Sequence, residues 1–580
     1  MKPSSRIITS SFLLLMALSL LKGQMIQGYT NFSVEILNPT SIERTWNDLS
    51  LLYQNQYHTP EEVIAELYQL NETAPDLVNL TVLGQSIQGR DIHLVTITNE
   101  QITTPKAGVC IISQHHAREQ ISMEAALRFM IRLVNSYGKD EALTHYVNTE
   151  EIYIIPTLNP DGLHYVVGND TMEGDPWLRK NLRAIDDDND GECDEDPYND
   201  VDGDGIISGY DVFGKGLSDL HFMYSYYEGI DDDGDGRVNE DLIGGTDLNR
   251  NYDYRWNDSS LDTGTGSDAL SETFPGFSPF SEPETQIICD FMTSHSFSMA
   301  MSLHSGINTT YFPWASGSTW AQSDRYHDIY TDLKSRLPIY FFDDYLRAGL
   351  YPTSTQSIAY TSAGEWGDWA YATQGVQVPM TFEIYHKAGS EEYVAVEFEN
   401  LTHKIFRFDT IEEYFAPPEG KIDALWFDIL PAFDYWLETT PQLEVASLTV
   451  IGNNSEGAEL TIKFKIKNTS PRVTTIAEVG VFDEHLIPFS GTEGIVVFSK
   501  LIEGESLSGS FKTILNHELG VNEEFKLFIG NNFVGFYPMI IKQSIIKKAT
   551  GYFDLIGFLL AIPVVVMLKR RKTSVKLAGC

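Results

Sequence analysis

The stretch that decides the fold is Gln114-His115-His116-Ala117-Arg118-Glu119, which follows a short apolar run at residues 108–113. On a helix or a tight turn, residues three apart lie on the same side, so His116 and Glu119 could bind one metal ion. On these residues alone, His115 could equally pair with Glu119, and the His-x-x-Glu pattern also occurs in solvated helices that bind nothing. The stretch thus offers two candidate metal ligands, and a metal site would need further ligands from the rest of the chain.

Composition and charge bound the class of protein. The chain has 580 residues, of which 42% are hydrophobic and 12% aromatic, so it can bury more than one core. Its formal net charge of −42 argues against nucleic acid as a partner, because phosphate binding requires basic surface. The four cysteines are widely spaced and predict no disulfide framework.

Both ends of the chain have the pattern of an exported membrane protein. Residues 1–24 combine a basic start with an apolar run, which predicts a signal peptide. Residues 552–568 are apolar and precede a basic segment at 569–580, which predicts a single transmembrane helix with a cytoplasmic tail. The short length and Pro563 leave a core helix as the alternative. Sequons compatible with a cell-surface glycoprotein lie at Asn31, Asn71, Asn79, Asn169, Asn257, Asn308, Asn400, Asn453 and Asn468.

Between these ends, buried strands alternate with helical patterns over residues 50–438, which predicts an α/β domain. Two of the apolar strands, at 108–113 and 298–303, end directly before histidines. Sites in open α/β sheets lie at the carboxyl ends of such strands. Residues 443–540 instead form short alternating strands separated by polar turns, which predicts a separate C-terminal β-sandwich.

Several motifs follow one another along the α/β region. They are His116-Ala117-Arg118-Glu119, Asn159-Pro160-Asp161-Gly162, Arg179-Lys180, Asn249-Arg250-Asn251, His304-Ser305, Tyr360 and Thr381-Phe382-Glu383. In this order they resemble the motifs of zinc metallocarboxypeptidases of the carboxypeptidase A/B kind. The resemblance covers residues 50–438 apart from an acidic insertion at 186–245. It implies a mixed central sheet flanked by helices.

The resemblance also implies how the chemistry is divided. His116, Glu119 and His304 would bind one catalytic zinc ion and leave a fourth position for water. Glu383 would act as the general base on the metal-activated water and later protonate the leaving amine. Arg179 would stabilise the oxyanion of the transition state. From the residues alone, Glu383 could also be a strand carboxylate that faces solvent.

Four further residues are implied to bind the substrate. Asn249 and Arg250 match the pair that binds the terminal carboxylate, for which a guanidinium is suited through two parallel hydrogen bonds. Arg118 matches an arginine of the neighbouring subsite, and Tyr360 a tyrosine on a closing loop. For Arg118 and Tyr360, a purely structural role is the alternative.

The side-chain preference of such an enzyme stays open. In the family, the residue before the equivalent of Asp368 helps to set it, and here that residue is Gly367. The acidic Glu365 and the bulky Trp366 also lie where the family usually has smaller residues.

The insertion carries three copies of a calcium-loop pattern, with carboxylates at positions 1, 3 and 5 and glycine at position 6. A merely solvated acidic loop is the alternative. The predicted structural Ca²⁺ ligands are Asp186, Asp188 and Asp190 in the first copy, Asp200, Asp202, Asp204 and Asp211 in the second, and Asp231, Asp233 and Asp235 in the third.

Together these patterns predict a membrane-anchored, zinc-dependent metallocarboxypeptidase that hydrolyses the C-terminal peptide bond of peptides or proteins outside the cell. One alternative is a zinc amidase or deacylase acting on modified amino acids or wall peptides. Another is a calcium-stabilised surface binding protein with an inactive peptidase fold, although a binding module has no need of Glu383.

Overall fold

The computed structural model describes residues 30–33 and 42–544, apart from residues 55, 103–105, 169–176, 187–189, 204–206, 216–219, 262–265, 267–268, 296, 318–320, 322, 339–360, 377, 387–394, 400–402, 409–414, 441–442, 453–455, 469–477, 483–505, 515–522 and 531–535. The predicted signal peptide (1–24), transmembrane segment (552–568) and basic tail (569–580) lie outside the described residues. Within the described part of the chain, no helix is long and apolar enough to span a membrane.

The secondary structure alternates as the sequence predicts. The helices are α1 (Pro60–Thr73), α2 (Gln120–Ser136), α3 (Glu141–Thr149), α4 (Pro160–Val167), α5 (Pro283–Ser294), α6 (Ser323–Arg336), α7 (Trp366–Ala372) and α8 (Ile422–Thr439), with 3₁₀ turns at Leu248–Arg250 and Glu419–Lys421. The strands are β1 (Thr30–Ser33), β2 (Val78–Gln85), β3 (Asp91–Ile97), β4 (Ala107–Ser113), β5 (Glu150–Ile155), β6 (Gly209–Lys215), β7 (Leu220–Tyr227), β8 (Met299–His304), β9 (Ile307–Tyr311), β10 (Val378–Tyr385), β11 (Ala395–Glu399), β12 (His403–Phe408), β13 (Leu443–Gly452), β14 (Glu459–Asn468), β15 (Glu478–Phe482), β16 (Ser506–Ile514), β17 (Glu523–Gly530) and β18 (Phe536–Ser544).

Local sequence explains where the first of these helices begins. The Thr59 hydroxyl accepts a hydrogen bond from the Glu62 backbone N–H, and the Glu62 carboxylate accepts one from the Thr59 N–H. This reciprocal cap satisfies two N–H groups that the helix itself leaves unpaired. Pro60 fits the first turn because its missing N–H has no helical partner there.

The central sheet is mixed, and the prediction of a mixed α/β sheet flanked by helices is confirmed. Its seven strands run in the order β2-β3-β5-β4-β8-β10-β9. The pairs β5-β4, β4-β8 and β8-β10 are parallel, whereas β2-β3, β3-β5 and β10-β9 are antiparallel. The carboxyl ends of the parallel strands therefore lie at one edge of the sheet, where β8 ends at His304 and β10 carries Glu383 beside it.

Apolar side chains alternate between the two faces of this sheet, as the pleat of a strand requires. In β4, Val109 and Ile111 join a cluster that includes residues of α1, α2 and α8. Cys110 and Ile112, which point the other way, join a second cluster with residues of α5 and α7. Burial on both faces fixes the register of β4, because a shift by one residue would exchange the two sets.

Two further sheets lie outside the central one. The insertion contributes β6 and β7 to a four-stranded antiparallel sheet in the order β11-β12-β6-β7. Six strands of the C-terminal region and β1 form an antiparallel series, β15-β17-β18-β1-β13-β14-β16. The strand content of residues 443–540 agrees with the sequence pattern, and the two-layered sandwich stays a prediction. Of the described cysteines, Cys110, Cys193 and Cys289 are free.

Candidate metal centre and active site

Three buried side chains converge where β4 and β8 end. His116 Nδ1 lies 2.7 Å from Glu119 Oε1, and His304 Nδ1 lies 2.9 Å from Glu119 Oε2. The two imidazole nitrogens are 3.2 Å apart. A left-handed turn at Gln114, with φ of 57°, takes the chain from β4 into the segment that carries His116 and Glu119.

These three residues fit a zinc ion. One ligand atom from each lies within 4.8 Å of the others, and two imidazole nitrogens with one carboxylate oxygen are a zinc donor set that leaves room for a further ligand. Burial raises the pKa of Glu119, but the neighbouring His116 and His304 outweigh it and hold that pKa below its ordinary value. Burial also lowers the pKa of His304. An ionised carboxylate and a neutral imidazole are the forms that bind a metal.

A buried carboxylate orients His116. Asp247 Oδ1 lies 3.1 Å from His116 Nε2, while Asp247 Oδ2 accepts hydrogen bonds from Arg179 Nε at 3.0 Å and Arg179 Nη2 at 2.9 Å. Burial raises the pKa of Asp247, but the charges of Arg179 and His116 bring it well below its ordinary value. Asp247 is not among the residues predicted from the sequence; its signal is a carboxylate directly before the Leu248–Arg250 turn.

The second imidazole is oriented by a chain of polar groups. His304 Nε2 lies 2.8 Å from Ser302 Oγ, which lies 3.0 Å from His115 Nδ1. His115 Nε2 is in turn 3.0 Å from the Tyr252 hydroxyl. Both ring nitrogens of His115 thus have partners other than the three converging side chains, and burial lowers its pKa well below the ordinary value. His115 is a neutral neighbour that helps to position His304.

Glu383 lies beside the converging ligands. The parallel register of β10 and β8 pairs Glu383 with His304, and the antiparallel register with β9 pairs it with Thr309. Its Oε2 is buried and accepts no hydrogen bond from the described residues. Burial and the nearby Glu119 raise the pKa of Glu383 well above its ordinary value. A buried carboxylate oxygen without a partner is costly, which marks a group that is kept for chemistry rather than for stability.

The predicted carboxylate-binding pair lies in the 3₁₀ turn that follows Asp247. Asn249 and Arg250 are both buried, and the Asn249 side-chain oxygen accepts a hydrogen bond from the Trp366 N–H at 3.0 Å. Arg250 Nη1 donates to the Asn249 carbonyl at 2.9 Å and lies 3.9 Å from Glu365 Oε1.

Arg118 and Arg179 have different surroundings. Arg118 forms two parallel hydrogen bonds with Glu272, at 3.1 and 2.9 Å, and its guanidinium lies 4.2 Å from the centre of the Phe415 ring. Arg179 Nη1 lies 3.9 Å from Glu119 Oε1, so its charge reaches the metal-ligand cluster. Tyr360 lies outside the described residues.

The insertion brings its acidic residues together in three groups whose oxygen atoms lie within 4.8 Å of one another. Two of these residues, Glu195 and Glu228, were missed by the sequence analysis because the loop pattern does not include them. Asp186 accepts hydrogen bonds from the backbone N–H groups of Asp190 and Gly191. Asp211 lies in β6. Asp188 and Asp204 lie outside the described residues. The groups are Asp190 with Glu195 and Asp233, Asp200 with Asp202 and Glu228, and Asp231 with Asp233 and Asp235.

Comparison with known proteins identifies the family. A family model described as zinc carboxypeptidase matches residues 63–428, which is more than half of the chain. The chain belongs to the zinc carboxypeptidase family. The predicted resemblance is confirmed.

Matches to individual proteins have low sequence identity or cover only part of the chain. The chain is 32% identical over 126 residues to a zinc carboxypeptidase of Saccharothrix mutabilis subsp. capreolus, a match that covers 22% of this chain and 28% of that protein. It is 24% identical over 339 residues to a zinc carboxypeptidase of Simulium vittatum, covering 58% and 87%. A solved structure, carboxypeptidase A from Helicoverpa armigera, matches at 20% identity with a TM-score of 0.44, covering 66% of this chain and 74% of that one. The chain thus spans little more than a quarter of the first relative's length.

The metal centre predicts how single substitutions change zinc binding. His116→Ala should abolish stoichiometric zinc, because it removes one of three converging ligand atoms. Asp247→Asn should weaken zinc affinity by about 10- to 100-fold, as for other residues that orient a ligand. His115→Ala is the comparison variant and should retain zinc, because His115 is linked to His304 by hydrogen bonds only through Ser302, whereas Asp247 contacts His116 directly. Zinc per folded chain, measured by mass spectrometry after dialysis against a competing chelator, checks this order; equal loss in the His115 and His116 variants would contradict it.

Proposed function

We propose that the chain is a zinc-dependent metallocarboxypeptidase that hydrolyses the C-terminal peptide bond of peptides or proteins. The observation that carries the proposal is the position of Glu383 beside His304 in the group of His116, Glu119 and His304, with its Oε2 buried and accepting no hydrogen bond from the described residues. When bound there, zinc supplies a Lewis acid that polarises a carbonyl group and lowers the pKa of water. The residues of the chain then supply proton transfer and charge stabilisation.

Glu383 has the environment of a general base. It would take a proton from the attacking water as the water oxygen bonds to the carbonyl carbon, and it would return that proton to the nitrogen as the carbon–nitrogen bond breaks. The pKa of Glu383, which burial and the nearby Glu119 raise above its ordinary value, favours the uptake of a proton by this carboxylate. Arg179, fixed by Asp247 and within reach of Glu119, would stabilise the negative charge that develops on the carbonyl oxygen.

Asn249 and Arg250 would make the enzyme an exopeptidase. Arg250 is buried, and a guanidinium in such a place is suited to bind a terminal carboxylate through two hydrogen bonds. Arg118, already oriented by Glu272, would line the next subsite. These roles favour peptides with a free C-terminal carboxylate over the amidase or deacylase alternative.

We also propose that the insertion binds structural calcium. Glu195 Oε2 and both carboxylate oxygens of Glu240 are shielded from solvent, and each glutamate lies beside another acid, Glu195 beside Asp241 and Glu240 beside Asp196. Burial and neighbouring acids raise the pKa values of Glu195 and Glu240 to about 7. Glu195 belongs to one of the three acidic groups, and a bound cation would compensate the charge that these groups concentrate.

The proposed setting of the enzyme is the cell surface. Support comes from the sequence of residues 1–24 and 552–580, which has the pattern of a signal peptide, a single transmembrane helix and a basic cytoplasmic tail. A β-sandwich at 443–540 would then lie between the membrane and the catalytic domain. This arrangement would expose the active site to peptides outside the cell.

The exopeptidase proposal predicts a difference between free and amidated peptides. The wild type should release the last residue of a peptide with a free C-terminus and leave its C-terminal amide uncleaved, because only the former offers a carboxylate to Arg250. Glu383→Gln should lower kcat/KM by roughly 10²- to 10⁴-fold while zinc is retained, which is the usual contribution of general acid–base catalysis. Glu459→Gln, a change of an exposed glutamate on β14, is the matched control and should have full activity.

Mass spectrometry of the products decides these points. Equal cleavage of the free and amidated peptides would reject the exopeptidase proposal. Activity that survives Glu383→Gln would reject the role of Glu383.

The calcium proposal predicts that ion removal exposes the insertion to proteases. After chelation, cleavage within residues 186–245 should become faster, because the acidic groups repel one another without a cation. Added Ca²⁺ should restore resistance, whereas Mg²⁺ should not, since magnesium demands near-ideal octahedral geometry and gives up its bound water reluctantly. Limited proteolysis read by mass spectrometry checks this; cleavage at the same rate with and without calcium would contradict it.

A further inference from the structure

A pocket of about 300 Å³ lies between α1, the β2–β3 hairpin and the link from β5 to α4. It is separate from the metal centre, because its residues come from β3 and the end of β5, whereas His116 and Glu119 follow β4 and His304 ends β8. None of the residues that line it has a part in the proposed catalysis. The volume lies at the lower end of the range of small-molecule sites.

One wall of the pocket is apolar and comes mainly from α1. Val63 and Leu67 are buried, Ile64 is half-buried, and the three side chains lie on the same side of the helix. Pro156 and Pro160 add apolar surface from the link between β5 and α4. This wall can bury an apolar side chain of a ligand.

Two buried polar side chains also line the pocket. His93 is 7% exposed and projects from the face of β3 that carries Val95 and Ile97, which pack with residues of α1. Burial lowers the pKa of His93, so its imidazole is neutral and one ring nitrogen can accept a hydrogen bond. Thr157 Oγ1 is buried and forms no hydrogen bond with a described residue. A buried hydroxyl without a partner is costly, and a polar ligand in the pocket would supply one.

A guanidinium is held in the same pocket with part of its hydrogen-bonding capacity unused. Arg90 Nη1 donates to Asp161 Oδ1 at 2.7 Å and to Gln88 Oε1 at 2.9 Å. Arg90 Nε and Nη2 donate to no described residue, and the side chain is 29% exposed. Two neighbouring N–H groups of a guanidinium match the two oxygens of a carboxylate. Arg90 is therefore fixed in place and can still bind an anionic group.

Two exposed carboxylates bring the opposite charge to the pocket. Glu61 lies in the first turn of α1, and Asp91 begins β3. Because Asp91 and His93 are two residues apart on a strand, they project from the same face. The Asp91 carboxylate is held by a hydrogen bond from Gln85 Nε2 at 3.0 Å. The pocket thus combines a cation, two anions and an apolar wall.

We propose that this pocket binds a free α-amino acid with an apolar side chain, such as leucine. The ligand carboxylate would bind Arg90, its ammonium group would lie near Asp91 and Glu61, and its side chain would pack on the apolar wall of α1. A zwitterion satisfies both signs of charge, which neither a simple amine nor a simple acid can do.

The inference goes beyond the proposed function and does not depend on it. Hydrolysis of a C-terminal peptide bond releases free amino acids, so the proposed reaction would supply ligands of this class. Binding can nevertheless be measured without any turnover.

The first part of the test compares three ligands that share one apolar side chain. Leucine carries both charges, isoamylamine lacks the carboxylate, and isocaproate lacks the ammonium group. The titrations use the full, zinc-loaded chain with Arg250→Ala, because this substitution removes the carboxylate-binding residue of the active site. Calorimetry should show one leucine per chain, with isoamylamine and isocaproate each binding roughly 10- to 100-fold more weakly, the range for hydrogen bonds to a charged group.

The second part assigns the binding to the pocket. Ile64→Trp, made in the same background, should abolish leucine binding because the larger ring fills the space beside α1. Tyr68→Trp is the matched control on the same helix, since Tyr68 is exposed and does not line the pocket. Arg90→Lys keeps a positive charge for Asp161 but loses the paired N–H groups, and it should weaken leucine binding by about 10-fold.

Each result has a definite meaning. No leucine binding in the Arg250→Ala chain, equal affinity for the three ligands, or binding that is unchanged by both Ile64→Trp and Arg90→Lys would overturn the inference. With Arg250 intact, Ile64→Trp should still hydrolyse peptides with a free C-terminus. The failure of all such hydrolysis in the wild type would overturn the proposed function and leave the binding site standing. Arg90→Lys keeps the test decisive where Ile64→Trp fails to fold.

Discussion

The active-site geometry depends on one buried carboxylate, that of Asp247. One of its oxygens lies 3.1 Å from His116 Nε2, and the other accepts two hydrogen bonds from Arg179. Because Asp247 holds His116 Nε2, the other ring nitrogen, His116 Nδ1, faces Glu119 and His304. An unpaired carboxylate at this depth would be strongly destabilising, so His116 and Arg179 stabilise Asp247 as much as it orients them.

This arrangement also explains how the chain accommodates a long insertion between two residues of the site. The chain leaves the catalytic domain after Arg179 and returns just before Asp247. Two backbone hydrogen bonds close the base of the insertion, from Asn181 to Thr246 and from Gly245 to Asn181. The side chain of Asn181 adds a third by accepting from the Thr246 N–H. These hydrogen bonds therefore hold Arg179 and Asp247 together at the base of the insertion, and the acidic loops extend from this base.

Those residues of the site that form a local sequence pattern could be predicted from the sequence. A histidine directly after a buried strand, and a carboxylate three residues later, indicate ligands because strand ends meet at one sheet edge. The partners Asp247, Ser302 and Tyr252 were not predicted, since their contacts depend on how distant segments pack.

The parts of the fold that could not be predicted from the sequence also depend on contacts between distant segments. The alternation of helices and strands, and the Thr59 cap, follow from local propensity and periodicity. The pairing of β6 with β12 joins residues nearly two hundred positions apart, and β1 pairs with β13 and β18 across most of the chain. No periodic signal marks such pairings, because they are decided by the assembled structure. In the insertion, likewise, Glu228 joins Asp200 and Asp202 through folding and not through the repeat.

The most direct test of the account is the anomalous scattering of a crystal of the full chain at the zinc absorption edge. One strong zinc peak is expected, bounded by His116 Nδ1, His304 Nδ1 and the Glu119 carboxylate, with Glu383 next to it but not among the ligands. A crystal saturated with zinc that shows no peak among these three side chains, or that shows His115 as a ligand, would contradict it.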